Sequence, residues 1–232
     1  MILLQEPQLG TFSQCPYLAD RDWRFEYFFA LDLVPEELET YLARGWRKFG
    51  AYYFRPHCEI CRECIPLRVL TEKFIPSKSQ RRVLRKGTAI RVEFKPLEYR
   101  DEIYEIYRIH SRDRFSLETS AEEFIDSFFT PSCQTLQSEY YLEDRLIGVG
   151  FLDQSNRALS SVYFVYDTAY EDYRLGTYSA LKEIAYGAEQ GLEYYYLGYY
   201  IAENNSMAYK CRFHPNERYD WNQEIWKNEE QA

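Results

Sequence analysis

Three short strand-like runs, Ser138–Leu142, Leu146–Leu152 and Leu159–Tyr166, follow one another in the second half of the chain. The first two are joined by Glu143-Asp144-Arg145, a hairpin-length connection, so the three read as an antiparallel meander. Two helical patterns precede it. Arg100–Phe115 carries Ile103, Tyr107 and His110 at helical spacing, and Ala121–Phe129 forms a second amphipathic stretch. Leu175–Glu189 follows the meander as a helix, with Leu181, Ile184, Ala185 and Ala188 on one face. Gly191 ends it, and Leu192–Tyr200 reads as a further strand. That order predicts an α+β, acetyltransferase-like domain over residues 91–232.

Residues 1–90 carry different signals. After an irregular lead-in over residues 1–22, Trp23–Phe28 alternates like a strand. Pro35-Glu36-Glu37-Leu38 starts a helix that Gly45 would end, and strands are predicted at Ala51–Arg55 and Ile65–Leu70. Ser79–Lys86 reads as a short basic helix ending at Gly87, and Ala89–Phe94 as a strand. A boundary near Lys86–Pro96 has no flexible linker, so this smaller cysteine-containing α+β part is expected to pack on the larger one.

The most specific local pattern is Cys58-Glu-Ile-Cys61-Arg-Glu-Cys64, with Cys15 upstream as a possible fourth thiolate and His57 as a substitute ligand. Two-residue gaps let successive sulfurs turn onto one ion, as in structural zinc and iron–sulfur sites; the alternative is a turn of reduced thiols. The start MILLQEPQLG has no basic region and only a short apolar run, and no stretch approaches a membrane span. The expectation is therefore a cytoplasmic chain with no membrane partner, whose cysteines are kept reduced.

A net charge of −9 argues against a polyanion partner until its distribution is examined. Arg44–Arg91 holds 13 Lys or Arg against Glu59, Glu63 and Glu72, a local +10 that leaves −19 on the rest. Within it, Ser77-Lys78-Ser79-Gln80-Arg81-Arg82-Val83-Leu84-Arg85-Lys86 joins forked cations to hydroxyls at a helix start, an arrangement that binds phosphate or carboxylate equally well. The turn Tyr173-Arg174-Leu175-Gly176-Thr177-Tyr178 sits where acetyltransferases grip a pyrophosphate, but with one Gly it disfavours a small acyl-CoA donor. No spacing suggests a hydrolytic triad, a phosphate loop or a dinucleotide fingerprint.

Read together, Cys15-Pro16-Tyr17, Gly45-Trp46-Arg47-Lys48-Phe49-Gly50, Tyr53-Phe54-Arg55-Pro56, the three spaced cysteines, Pro66-Leu67-Arg68 and Phe74–Arg82 resemble the bacterial aspartate/glutamate leucyltransferases. The likeness continues through Ser161–Phe164, Leu175–Tyr178, Tyr195–Ile201 and Met207–Lys210, and the eukaryotic arginyl-tRNA–protein transferases share much of it. The eukaryotic relatives have Cys-Gly-Tyr-Cys where this chain has Cys15-Pro-Tyr-Leu18, so their metal arrangement does not transfer directly.

The resemblance implies transfer of leucine from leucyl-tRNA to the α-amine of proteins beginning with Asp or Glu, which marks them for degradation in the N-degron pathway. It requires no cofactor for the chemistry; a structural zinc or iron–sulfur cluster on Cys15, Cys58, Cys61 and Cys64 would be separate from it. The acceptor carboxylate is expected on Arg55, Arg68, Lys78 and Arg81, although Arg81 also suits tRNA phosphate. The tRNA is expected on Arg82, Arg85 and Lys86, and through stacking or phosphate pairing on Tyr199, Tyr209, Lys210 and Arg212, unless those Tyr rings are core. Competing expectations are the same reaction with Arg-tRNA as donor, a small-molecule N-acetyltransferase, and a zinc-bearing RNA-binding protein that transfers nothing.

Overall fold

The computed structural model describes residues 1–130 and 132–228. The chain opens with β1 (Ile2–Leu9), the small pair β2 (Ser13–Gln14) and β3 (Asp22–Trp23), and β4 (Phe25–Leu31). Helix α1 (Pro35–Ala43) has Pro35 in its first turn, and the Glu37 carboxylate accepts the Val34 N–H. Then come β5 (Arg47–Phe49), β6 (Tyr52–Pro56) and β7 (Ile65–Leu70). Strands β1, β4, β6 and β5, in that order, make a four-stranded sheet.

Helix α2 (Lys78–Lys86) begins at Ser77, whose hydroxyl accepts the Gln80 N–H while the Gln80 side chain accepts the Ser77 N–H. It is followed by β8 (Arg91–Pro96), α3 (Asp101–Phe115) and α4 (Ala121–Phe128). The predicted meander is β9 (Thr135–Leu142), β10 (Arg145–Gln154) and β11 (Ala158–Tyr166). Glu143 and Asp144 both take positive φ, the conformation a tight hairpin demands. The remaining elements are α5 (Leu175–Glu189), β12 (Tyr194–Tyr200), the short α6 (Asn205–Ala208), and the hairpin β13 (Asn216–Asp220) and β14 (Ile225–Asn228).

The large sheet has eight strands in the order β14-β13-β7-β12-β11-β10-β9-β8. Strand β10 is buried at nearly every position because both faces are covered. On one side Ile147 and Leu159 pack with Leu181 and Ile184 of α5 and Val83 of α2. On the other, Val149, Phe151 and Val165 pack with Ile103, Ile106, Phe124 and Phe128 of α3 and α4. The sheet crosses the expected boundary: β7, from residues 1–90, lies between β12 and β13. The lead-in expected to be irregular instead supplies β1, paired antiparallel with β4. No described helix is long and apolar enough to cross a membrane.

Candidate active site

One parallel pairing shapes the site. Strands β11 and β12 pair only at Ala158–Tyr194, Leu159–Tyr195 and Ser160–Tyr196, and then diverge. Past that point β12 slips register against β7 at Gly198, whose φ of +84° suits a residue without a side chain. A Cβ there would lie 3.3 Å from Lys210 Nζ, so the glycine also makes room for that ammonium. The segment from α6 through Arg212 lies against this end of β12: Lys210 Nζ donates to the Tyr199 carbonyl at 3.0 Å.

A cleft of about 590 Å³ opens beside this segment, at the first turn of α5. Arg114, Tyr166, Arg174, Gly176, Thr177 and Tyr209 line it, together with Glu171 and Asp172. Arg174 caps α5 in the left-handed conformation, which is uncommon for a residue with a side chain and turns the chain sharply into the helix. Nothing lies within 4 Å of where a Gly176 side chain would project. The opening turn of a helix presents N–H groups without intrahelical partners, a setting for a polarised oxygen. His110 packs against Tyr166 with Nδ1 at its backbone, and burial holds its imidazole below the usual histidine range, mostly neutral.

Helix α2 borders the same segment, because Gln80 Nε2 donates to the Arg212 carbonyl at 3.1 Å. Its inner face buries Gln80 and Val83, while Lys78, Arg81, Arg82, Arg85 and Lys86 are exposed, as is Arg212. Lys86 reaches over the Tyr173 ring near the mouth of the α5 turn. At its C-terminal end Gly87 touches Tyr178 of α5, whose hydroxyl donates to the Gly87 carbonyl at 2.9 Å.

The cations expected on the acceptor carboxylate are not one group. Arg55 is paired with Glu26 (2.6 Å) and lies over Trp46. Arg68 is paired with Glu217 (2.6 Å), donates to the Tyr196 hydroxyl and lies between Tyr194 and Trp226. Both forks already hold internal carboxylates. Lys78 and Arg81 stand in solvent on α2, where a single ion pair is worth little. Two expected tRNA contacts also change place. Tyr199 is a core residue, 8% exposed, with its hydroxyl on the Gly45 carbonyl, so its ring has no face for a base. Lys210 is turned inward, whereas Tyr209 is half-buried and does line the cleft.

Sequence reasoning passed over Arg47. It is 7% exposed, and Nη1 donates to the Trp46 carbonyl at 3.0 Å. Nε and Nη2 are buried without a partner. The guanidinium lies over Tyr196 and Tyr199, 5.1 and 5.8 Å from the ring centres. Lys48, next in the strand and so on the opposite face, is also buried but meets Asp153 at 3.0 Å. Burial, and then the Arg47 charge, pull the Lys210 ammonium down to about 8. The signal in the sequence was Trp46-Arg47-Lys48-Phe49: adjacent cations in a strand with aromatic neighbours cannot both face solvent.

Cys58 and Cys64 are buried, Cys15 and Cys61 half-buried, and Arg21 Nη1 approaches the Cys61 sulfur at 3.4 Å. Burial, and then the neighbouring Cys58, Cys15 and Cys61 sulfurs, push the Cys64 thiol up to about 12. Among the described residues no three His, Cys, Asp or Glu side chains stand in an arrangement that would hold a metal ion.

Comparison with known proteins identifies relatives of this chain. Residues 13–82 match the family described as "Arginine-tRNA-protein transferase, N terminus", and residues 100–220 match its "C terminus". An aspartate/glutamate leucyltransferase of Helicobacter hepaticus is 36% identical over 88% of this chain and 87% of its own length. Those of Campylobacter jejuni RM1221 and Thiobacillus denitrificans are each 32% identical, over 94% and 87% of this chain and 94% and 86% of their own lengths. Among solved structures, FemX superposes with a TM-score of 0.48 at 8% identity, over 84% of this chain and 79% of its own. With both matched regions in order and relatives alike over nearly the whole length, the chain belongs to the arginine-tRNA-protein transferase family.

Proposed function

We propose that this protein transfers leucine from leucyl-tRNA to the α-amine of proteins whose first residue is Asp or Glu, marking them for degradation. The observation that carries the reading is the likeness, over 88% and 94% of this chain, to relatives named aspartate/glutamate leucyltransferase. The geometry suits it. An acetyltransferase-like splay between β11 and β12 leaves a cleft at the α5 turn for the aminoacyl ester, and the exposed cations of α2 lie alongside for the tRNA backbone.

In the reaction the amine nitrogen attacks the ester carbonyl carbon, a tetrahedral oxyanion forms, and the bond to the ribose oxygen breaks. The amine loses a proton and the ribose oxygen gains one, leaving a peptide bond and free tRNA. The ester is already activated, so holding the two partners together and stabilising the oxyanion suffices. A free α-amine, with a pKa of about 7.7–8.0, is mostly protonated at neutral pH, so modest desolvation or one weak base would suffice to free it. Arg81, Arg82, Arg85, Lys86 and Arg212 are assigned to tRNA phosphates, Lys78 to the same surface, and Tyr209 to the acylated end.

Arginine as donor would call for an acidic cleft. Here Glu171 is bonded to Arg114 and Arg174 stands with Asp172, so the lining has no acidic excess. A structural zinc or iron–sulfur cluster on Cys15, Cys58, Cys61 and Cys64 rests on soft donor chemistry alone, and metal analysis of the purified protein checks it. The deciding experiment incubates the protein with labelled Leu-tRNA or Arg-tRNA and peptides beginning with Asp, Glu, Lys or Ala. Leucine transfer to Asp and Glu alone is expected. Transfer of arginine only, or acetyl-CoA binding with no transfer, would overturn the reading.

A further inference from the structure

We propose that Arg47 and Lys210 form the pocket for the side-chain carboxylate of the acceptor's first residue. The inference rests on the transferase reading and names the residues that select its substrate. The other enclosed cations named above meet an acid: Lys48 has Asp153, and the half-buried Arg68 and Arg55 have Glu217 and Glu26. Among the described residues Arg47 and Lys210 form no ion pair, although Arg47 is more than nine-tenths buried; Asp153, whose charge reaches Arg47, is already paired with Lys48. Burying a charge without a counter-ion is costly, and it persists where a ligand supplies the missing charge.

The free atoms say what that ligand is. Nε and Nη2 are the adjacent pair on one edge of the guanidinium, the edge that grips a planar carboxylate through two parallel bonds. Lys210 spends one of its three N–H groups on the Tyr199 carbonyl and keeps two for the same anion. Tyr196 and Tyr199 wall Arg47 with rings, which dries the site. A phosphate of the tRNA backbone is the rival occupant, but solvent-exposed cations on α2 already offer themselves to a polyanion.

Position favours the same occupant. Tyr209, next to Lys210 in the chain, lines the cleft at the α5 turn, so the proposed carboxylate site borders the segment that edges that cleft. The pocket also discriminates. Asn or Gln in place of Asp or Glu would leave the two cations buried and unpaired, and such loss is penalised far more than loss of a contact in water.

The test measures leucine transfer to peptides that differ only in a first residue of Asp or Asn, with wild-type protein, Arg47→Gln, Arg47→Lys and Lys210→Gln. Expected is a rise in KM for the Asp peptide of roughly 30-fold or more in Arg47→Gln and Lys210→Gln, with KM for Leu-tRNA unchanged and Asp preference over Asn lost. Arg47→Lys, which keeps charge but not the fork, should fall between. Folding is followed separately by thermal unfolding with and without succinate, which should raise Tm in the wild type and not in Arg47→Gln. Two results overturn the pocket while leaving the transferase intact: variants that raise KM for Leu-tRNA instead, as a phosphate site would, or a folded Arg47→Gln that keeps its Asp preference. If the wild type transfers leucine to no peptide, the underlying reading fails instead.

Discussion

The two basic regions of this molecule contrast in almost every physical respect. On α2, Lys78, Arg81, Arg82, Arg85 and Lys86 are exposed and carried on one short helix. Arg47 and Lys210 come from elements 163 positions apart in the chain, are enclosed by Tyr196 and Tyr199, and have no acid partner. Exposed cations track a polyanion with little geometric demand, and salt weakens them. Enclosed cations accept one small anion of fixed shape, and salt reaches them poorly. On the proposed reading, charge of one sign serves two substrates, and burial decides which.

The largest effect should come from stripping the exposed group. Replacing Arg81, Arg82, Arg85 and Lys86 with Gln is expected to lower kcat/KM for Leu-tRNA by about 100-fold or more near physiological salt. The KM for the Asp peptide should stay put, which steady-state kinetics with each substrate varied in turn checks.

Next in size is the pH dependence of the enclosed group. Lys210, drawn down to about 8 by burial and by Arg47, loses its charge on the alkaline side of that value, so acceptor kcat/KM should fall there by close to tenfold per pH unit. Deprotonation of the acceptor amine pushes the opposite way below the same region, giving a bell. Lys210→Arg keeps its charge and should remove the alkaline limb. The stability sign is opposite to that of a paired lysine. The unfolded chain holds the Lys210 proton up to about 10.4, so stability should rise between pH 8 and that value, and Lys210→Met should flatten the rise in Tm.

Smaller effects sharpen the comparison. A methyl group on Gly87 would sit 2.3 Å from the Tyr178 ring, so Gly87→Ala should cost about 1–3 kcal/mol by denaturant unfolding. It should weaken tRNA binding through a displaced α2 without changing the preference for Asp over Asn. Smallest of all, Glu26→Gln strips Arg55 of its internal partner. It should alter acceptor KM less than about threefold, as a partly exposed ion pair of structural purpose would.

The meander and α5 were legible because local chemistry and burial agree there. Residues 143 and 144 accept positive φ in a tight hairpin, and Leu181 and Ile184 keep helical spacing onto the sheet. Helix α2 was legible as Ser79–Lys86 ending at Gly87, while the Ser77–Gln80 cap, which starts it one residue earlier, was not read. Strand β1 was hidden because Pro7 and a mixed polar pattern obscure an edge strand that is mostly exposed. The enclosed pair was out of reach for another reason. Nothing in the sequence says which of several arginines meets an acid across the fold: Arg68 and Glu217 lie 149 positions apart, and Arg47 differs from them only in what the fold fails to place beside it. Tyr199 and Lys210 were misplaced for the same cause, since a slipped register at Gly198 turns them inward.

The division of labour is tested most directly by varying ionic strength in a single leucine-transfer assay while measuring KM for Leu-tRNA and for an Asp-initiated peptide. The account predicts that KM for Leu-tRNA climbs steeply with salt while KM for the peptide barely moves. Equal slopes for the two substrates, or a steeper one for the peptide, would contradict it.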